Sequence, residues 1–280
     1  MIHVFGAINL DLIAKSDCFA PNTSTPSEIS LSLGGVGFNV YRAIRTREKR
    51  FVTALGEGMA ADLVRGQLSE DIAFLKKVPG IDCGVYLAFM EKGNLLLGAA
   101  STRAFEIGLN EETLDEALLS VKKGDLAVLE ANILPGPLSH LLERLSLLEV
   151  PVLFETVSCE KAARSSACLR DLKLVTPTFE EMEALLAPLS PTDENIFSFL
   201  KERNIENLVV TLGKQGSIWY RAEGKREIKP HRVLSLPDST GAGDYFLAML
   251  ATGLSEESRS FESVLYSAVA EVEVFLSARS

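Results

Sequence analysis

A glycine-rich turn that carries a carboxylate, residues 238–250, is the segment of this sequence best suited to chemistry; it is DSTGAGDYFLAML. Gly241 and Gly243 permit a tight turn and carry no side chain that would block a ligand. The first amides of the apolar helix predicted after them lack partners within the helix and lie at the positive end of its dipole, which favours an anion. Asp244 adds a base beside these amides. Transfer of a phosphoryl group to a hydroxyl needs both features.

A second glycine cluster and two polar residues upstream of it suit a sugar. In LGGVGFNV, Gly34 and Gly35 precede a helix predicted to begin near Asn39. The Asn39 amide both donates and accepts hydrogen bonds, as a sugar hydroxyl requires; a strand-to-helix turn with Asn39 as cap explains the segment equally well. Asn9 and Asp11 follow the first predicted strand, and two residues apart in an extended chain they point the same way. That spacing suits two vicinal hydroxyls.

A third segment, VVTLGKQGSIWY, ends a buried strand at Thr211 and continues into a turn with Gly213 and Gly216. The Thr211 hydroxyl or Lys214 could contact phosphate oxygens there. Taken alone, the segment favours the other interpretation, an ordinary hairpin turn.

A competing pattern is GEGMAA at residues 56–61, which matches the loose dinucleotide motif G-x-G-x-x-A after a predicted strand. A dehydrogenase would need an acidic residue about 20 positions further on, and Asp82 has nearly that spacing. However, Asp82 lies in a glycine-flanked turn and the motif follows the second strand, so we weight this alternative low. The nucleophile elbow of hydrolases and the Walker A motif are absent from the sequence.

The composition limits the cellular compartment and the classes of binding partner that we expect for this protein. The chain has 280 residues, 47% of them hydrophobic, and a net charge of −10, which allows one large α/β domain and argues against nucleic acid as a partner. Four scattered cysteines and three distant histidines predict neither disulfides nor a histidine metal site. We expect no signal peptide and no membrane span, and therefore a cytoplasmic protein.

Apolar runs alternate with helical patterns along the chain, which predicts a mainly parallel sheet covered by helices. Strands are predicted at residues 2–8, 51–55, 126–130, 152–154, 174–175 and 208–211, and helices at 37–45, 60–68, 138–148 and 179–187. Residues 27–33 and a hairpin at 84–101, which turns at Lys92–Asn94, suit half-exposed strands. A small β lid and a plain extension of the sheet explain them equally well.

In order and spacing, GGVGFN, TLGKQG and DSTGAGD together resemble the ribokinase (PfkB-type) family of carbohydrate kinases over nearly the whole chain. The resemblance implies a three-layer ribokinase-like α/β fold, with a mainly parallel central sheet flanked by helices and a small β-strand lid. It implies a single domain over 1–280, with lid segments at about 12–33 and 83–103. The implied activity is ATP-dependent phosphorylation of a hydroxyl of a sugar or nucleoside, and the lid often forms a dimer contact.

Site residues follow from the positions of the family motifs. Asp244 takes the place of the catalytic base, with anion-hole amides from Gly241, Ala242 and Gly243. The sugar side is implied to contain Asn9, Asp11, Gly35 and Asn39. The nucleotide side is implied to contain Thr211, Gly213, Gly216 and Thr240.

A narrower resemblance, to the pseudouridine kinase branch, lies in GGVGFNV, LEANI and VPVLFETVSCEKA. It implies that Asn132 and Lys161 contact the substrate and that the product is pseudouridine 5′-phosphate. A capped helix start at Ser158 is the structural alternative for ETVSCEKA. Other acceptors, namely ribose, another nucleoside or another sugar, stay open, and so does a catalytically weak nucleoside- or sugar-binding protein.

Three positions depart from the family pattern. Thr178 stands where the family has an asparagine that supports hydrated Mg²⁺, while Glu181 keeps the family's glutamate, expected to act on Mg²⁺ through water. Phe38 replaces a residue that is often polar, and we expect it to pack rather than to stack on a base. Family members commonly continue beyond the position of Ser280, so only half of a K⁺ site, from Asp238 and Thr240, is expected.

Overall fold

The computed structural model describes residues 1–68, 74–232, 240–256 and 259–279. Asp238, predicted to contact potassium, lies outside these residues. The described strands are β1 (Ile2–Phe5), β2 (Asn9–Ser16), β3 (Glu28–Gly34), β4 (Lys49–Leu55), β5 (Phe74–Lys77), β6 (Gly84–Glu91), β7 (Asn94–Ser101), β8 (Leu126–Glu130), β9 (Val152–Glu155), β10 (Leu174–Val175), β11 (Leu208–Thr211), β12 (Ser217–Arg221) and β13 (Gly224–Ile228).

Helices lie between most of these strands. They are α1 (Val36–Ala43), α2 (Met59–Gln67), α3 (Arg103–Gly108), α4 (Glu111–Leu118), α5 (Pro135–Leu147), α6 (Cys159–Ser165), α7 (Phe179–Leu186), α8 (Asp193–Arg203), α9 (Ala242–Leu254) and α10 (Phe261–Ser277), with 3₁₀ turns at Ser166–Cys168 and Gly213–Gln215. Within the described residues, no helix is both long and apolar enough to span a bilayer.

The described strands of the central sheet have the order β13-β12-β11-β10-β9-β8-β1-β4-β5. The strands from β11 to β5 pair in parallel, and the β11–β12 and β12–β13 pairs are antiparallel. The parallel strands are short apolar runs because both faces of the sheet are buried. On one face, α4, α5, α7 and α8 contribute to the core; on the other, α1, α2, α9 and α10 do. The carboxyl ends of the parallel strands therefore meet at one edge.

A second sheet, which we call the lid, has the order β3-β2-β6-β7. It is built from the half-exposed segments, and β6 and β7 form a hairpin that turns at Lys92 and Gly93 as predicted. Strand β2 links the two sheets, because it begins four residues after β1 ends. The residues between them therefore place the start of the lid at the edge where the parallel strands end.

One local prediction needs correction. The first strand ends at Phe5 rather than at residue 8, because the backbones of Gly6 and Gly37 approach so closely that a Cβ on either would overlap the other. The basic residues at 42–50 lie at the junction of α1 and β4. Lys49 begins β4, and its ammonium donates hydrogen bonds to the carbonyls of Tyr41 and Ile44 at the end of α1.

Phe38 packs in the core, as expected. It is 6% exposed and its ring lies 5.9 Å from that of Phe51. Burial against an aromatic neighbour stabilises α1 on the sheet, and α1 carries Asn39 at the carboxyl edge.

Candidate active site

Asp244 lies in the first turn of α9, whose N-cap is Gly241 in the left-handed conformation (φ 79°). Asn39 Nδ2 donates to Asp244 Oδ2 at 2.7 Å. Burial raises the pKa of Asp244 to about 6, while the Asn39 hydrogen bond acts to lower it. The group is therefore mainly ionised at pH 7 yet more basic than an exposed aspartate, as a general base requires.

The amides of Ala242 and Gly243 belong to the first turn of the same helix. Such amides have no carbonyl partner four residues earlier within a helix. They lie next to Asp244, so an anion held by the helix N-terminus would be adjacent to the base.

A cavity of about 540 Å³ opens beside these amides and is lined by five residues predicted on the nucleotide side or in the anion hole: Thr211, Gly213, Gly216, Ala242 and Gly243. Its other lining residues are Thr178, Lys214, Ser217, Pro230, Arg232, Phe246, Val269, Val272, Glu273 and Leu276. Lys214 and Arg232 supply positive charge for phosphates, and the apolar side chains supply a wall for a flat base. Thr240 is not among the residues that line this cavity; its backbone precedes Gly241.

Asn9 and Asp11 are the first and third residues of β2, where the lid leaves the central sheet. A Cβ on Gly34 would overlap the Asp11 carboxylate, and one on Gly84 would overlap the Asn9 amide oxygen, so both neighbours must be glycine. Burial, and then the charge of Asp244, raise the pKa of Asp11 to about 6. The Asp11 and Asp244 carboxylates therefore interact electrostatically across the site.

Several buried oxygens at this edge have no hydrogen-bond partner among the described residues. They are Asn9 Oδ1, Asp11 Oδ1, Glu130 Oε2 and Asn132 Oδ1. Buried polar atoms are normally paired, and a ligand rich in hydroxyls would pair these. Gly35, also predicted here, is the N-cap of α1 and has φ 99°.

Glu130 is the last residue of β8, and Asn132 lies two residues further on. Glu130 Oε1 accepts hydrogen bonds from the amide of Ala7 at 2.7 Å and from Asn132 Nδ2 at 2.8 Å. Burial raises the pKa of Glu130 to about 7, while the charge of Lys161 acts to lower it. Burial likewise lowers the pKa of Lys161, and the charge of Glu130 opposes that shift. Lys161 and Asn132 therefore both interact with Glu130, and the structure brings the two predicted substrate residues together.

Glu181 lies at the start of α7 in a capping box. Its Oε2 accepts from the amide of Thr178 at 2.9 Å and from the Thr156 hydroxyl at 2.7 Å, while Thr178 Oγ1 accepts from the Glu181 amide. Thr178 thus has a structural task as N-cap, and it also lines the nucleotide-side cavity. In the part of the chain that the structure describes, no three His, Cys, Asp or Glu side chains are grouped to hold a metal ion directly.

The competing dinucleotide pattern has a structural explanation. Asp82 Oδ1 accepts from the amide of Ala61 at 2.9 Å, and Asp82 Oδ2 accepts from the amide of Ala60 at 3.4 Å. The carboxylate therefore occupies the N-terminus of α2, which a pyrophosphate would need. This contradicts the dehydrogenase alternative.

Comparison with known proteins agrees with the geometry. The family model described as "pfkB family carbohydrate kinase" matches residues 1–274. This chain belongs to the pfkB family of carbohydrate kinases. It is therefore an ATP-dependent sugar or nucleoside kinase, and kinases of this family use a divalent metal.

Two curated relatives and one solved structure illustrate the range of similarity. A deoxyribokinase from Salmonella typhimurium is 25% identical over 263 residues, which cover 89% of this chain and 84% of the deoxyribokinase. A pseudouridine kinase from Arabidopsis thaliana is 24% identical over 240 residues, which cover 77% of this chain and 64% of the pseudouridine kinase. The crystal structure of ribokinase from Thermotoga maritima has a TM-score of 0.80 at 23% identity and covers 97% of this chain and 91% of its own. The ribokinase-like fold is confirmed.

Three functional candidates escaped the sequence reasoning. Glu155, at the end of β9, accepts from the Thr176 hydroxyl at 2.7 Å, and burial raises its pKa to about 8, with further increases from the charges of Asp244 and Glu181. Glu130 is the second, and a glutamate at the end of each apolar run, LAVLE and VLFE, was the available signal. Arg232 in the nucleotide-side cavity is the third, and no sequence pattern indicated it.

The helix predicted at ETVSCEKA begins after Ser158, but the Ser158 side chain makes no capping hydrogen bond. Val157 has φ 66°, which is unfavourable for a β-branched residue. Backbone strain of this kind is often retained at functional sites. The segment is therefore a helix start at a strained backbone position, without the side-chain cap expected of Ser158.

Proposed function

We propose that the kinase transfers the γ-phosphoryl group of ATP to the 5′-hydroxyl of a nucleoside, with pseudouridine as its main acceptor and pseudouridine 5′-phosphate as product. The observation that carries the reaction is the setting of Asp244: it shares the first turn of α9 with the helix amides, accepts a hydrogen bond from Asn39 of the sugar side, and its charge acts on Asp11. Two ligands can meet at this carboxylate.

In this mechanism, Asp11, Asn9, Gly35 and Asn39 hold the ribose. Asp244 accepts the proton of the 5′-hydroxyl as the oxygen attacks the γ-phosphorus, and its pKa of about 6 leaves it ionised and basic at pH 7. The amides at residues 241–243 stabilise the charge on the transferring oxygens. Thr211, Gly213 and Gly216 hold the nucleotide, with Thr240 beside them.

The preference for pseudouridine rests on Asn132 and Lys161. Because its uracil is joined to the ribose through carbon, pseudouridine has a second ring N–H donor that uridine lacks, besides the carbonyl acceptors that both nucleosides share. The buried Asn132 Oδ1 can accept a hydrogen bond, and the Lys161 ammonium can donate one. Glu130 holds both in place, since it bonds to Asn132 and pairs electrostatically with Lys161.

The divalent ion is inferred to be Mg²⁺, held by phosphate oxygens and by Glu181 through water. Oxygen donors of this type suit a hard cation that retains its own water, and when bound it would neutralise charge on the phosphates. The K⁺ site that the resemblance implies at Asp238 and Thr240 is tested by the K⁺ dependence described below.

The lid supports two further inferences, a homodimer and a closure over the sugar. The apolar face of the lid carries large exposed side chains: Ile29 (63%), Leu31 (56%), Leu87 (41%), Phe89 (36%) and Leu97 (61%). The strand register places them on one face, and a face of this kind is typical of protein contacts. A second copy of the chain is the inferred occupant.

A cytoplasmic location likewise remains a prediction.

The test is a panel of acceptors assayed with Mg²⁺ and ATP by release of ADP. We expect kcat/KM for pseudouridine to exceed that for uridine, ribose and 2-deoxyribose by about tenfold, the discrimination that one or two buried polar contacts provide. Lys161→Met should reduce that preference, while Lys123→Met, an exposed lysine paired with Glu149, should not.

Two results would redirect the proposal. Faster turnover of a free pentose would favour a sugar kinase, which the deoxyribokinase relative supports. A thermal shift with nucleoside but no ADP release from any acceptor would indicate a weak nucleoside- or sugar-binding protein, the alternative that Thr178 raises.

A further inference from the structure

The residues directly before α9, Thr240 and Gly241, are contacted by an arginine of the C-terminal region. Arg279 Nη1 donates to the backbone carbonyl of Thr240 at 2.7 Å, across 39 residues of sequence. Thr240 is followed by Gly241, the N-cap of α9, and then by the anion-hole amides. A group that fixes this carbonyl also fixes the direction of the peptide planes that follow it.

The guanidinium of Arg279 is itself held by an aromatic stack. Its central carbon lies 4.1 Å from the centroid of the Phe275 ring. Phe275 stacks on Tyr245 with centroids 4.3 Å apart and an interplanar angle of 11°. Since Tyr245 follows Asp244 directly, the stack connects α10 to the turn that carries the base. Cation–π contact of this type favours a guanidinium over a neutral group.

A second arginine supports the same stack from its other end. Arg45 Nη2 donates to the Tyr245 hydroxyl at 2.6 Å and pairs with Glu271 of α10 at 2.7 Å. Arg45 lies two residues after the end of α1, the helix of Asn39. The helices that carry Asn39 and Asp244 are therefore joined through Tyr245 to α10.

We propose that Arg279 is a positioning residue: a tethered cation that orients the Thr240 carbonyl and the anion-hole amides for the nucleotide. A carbonyl dipole can be held by a free monovalent cation, which must bind from solution, or by a guanidinium already attached to the chain. In this kinase the guanidinium is at the Thr240 carbonyl, so we expect this carbonyl and the amides that follow it to be oriented without K⁺. The inference rests on the proposed nucleotide side of the site.

The experiment measures binding of a non-hydrolysable ATP analogue by calorimetry, and kcat/KM for ATP, at constant ionic strength with either K⁺ or tetramethylammonium. For the wild type, we expect less than a twofold difference between the two cations. Arg279→Met keeps an apolar cover on Phe275 but removes the donor and the charge. It should bind the analogue about tenfold more weakly, the effect of losing one charge-assisted hydrogen bond.

Added cations distinguish a positioning role of Arg279 from a role in packing alone. K⁺, or guanidinium ion at low millimolar concentration, should restore much of the affinity of Arg279→Met, and Arg279→Lys should lie between it and the wild type. Arg259→Ala removes another arginine, paired with Glu256, and should change nothing.

The proposal is overturned if Arg279→Met binds the analogue like the wild type, if its loss is restored by neither cation, or if K⁺ stimulates the wild type as strongly as the variant. These outcomes differ from failure of the proposed function, in which the wild type itself binds no ATP analogue.

Discussion

Asp244→Asn should make the kinase slower and more stable at the same time. The substitution is close to isosteric, and rotation of the new amide lets its oxygen keep the 2.7 Å hydrogen bond from Asn39. The fold should therefore persist. Loss of a general base lowers kcat by about 10² to 10⁴, with KM for both substrates changed by less than about threefold, because the sugar contacts and the helix amides remain.

The gain in stability follows from the pKa. Burial raises the pKa of Asp244 from 3.8 to about 6, so the unfolded carboxyl ionises more readily than the folded one. The folded state is therefore penalised above pH 6, by at most about 3 kcal/mol, and the penalty disappears as the pH falls below 4. Asp244→Asn removes it.

The assays are ADP release at pH 8 and urea unfolding at pH 8 and at pH 3.5. We expect a higher free energy of unfolding for the variant at pH 8 and little difference at pH 3.5. Asp193→Asn is the control, because its hydrogen bond from Lys225 lowers the pKa of Asp193, so this variant should lose stability at pH 8 and keep its activity. If Asp244→Asn keeps kcat within tenfold, Asp244 is not the base. If Asp244→Asn gains no stability at pH 8, burial of the ionised Asp244 carboxylate does not destabilise the folded state.

Further predictions concern pH, the metal and the lid. Because Asp244 must be ionised and both it and Asp11 have raised pKa values of about 6, kcat/KM should fall at least tenfold per pH unit below pH 5.5; a flat profile down to pH 5 would exclude both roles. Thr178→Asn should preserve the cap of α7, since Asn is also a good N-cap, and should lower the Mg²⁺ concentration that gives half-maximal rate, so an unchanged Mg²⁺ titration contradicts the water-mediated role. Leu31→Lys puts a charge on the exposed lid face and should convert a dimer into a monomer in light scattering, with Lys15→Glu as a lid control; a wild type that is already monomeric refutes the lid contact.

Local chemistry made much of the fold predictable. The strands Leu126–Glu130 and Leu208–Thr211 were found with their observed bounds, because burial on both faces requires continuous apolar runs. The lid hairpin was also found, since a Lys-Gly-Asn turn between two strands is a short-range signal. The end of the first strand was missed, because it depends on the contact of Gly6 with Gly37, which no local pattern records.

The candidate site was predictable where a motif is contiguous. Asp244 and its amides lie within four residues, so their relation follows from helix geometry alone. Glu155 was missed because its interest comes from burial near Asp244 and Glu181, and proximity of this kind arises only when β9 and the helices α7 and α9 pack together.

The sequence by itself determined the reaction type, since glycines and a carboxylate at a helix start specify an anion site with a base. It also determined the parallel sheet, through the period of its apolar residues. Only the tertiary structure decided which polar groups lose water together. Asn39 meets Asp244 across 205 residues, and Arg279 reaches the carbonyl of Thr240. Desolvation and distance, which shift a pKa or orient an amide, are properties of the packed chain and leave no local trace in the order of its residues.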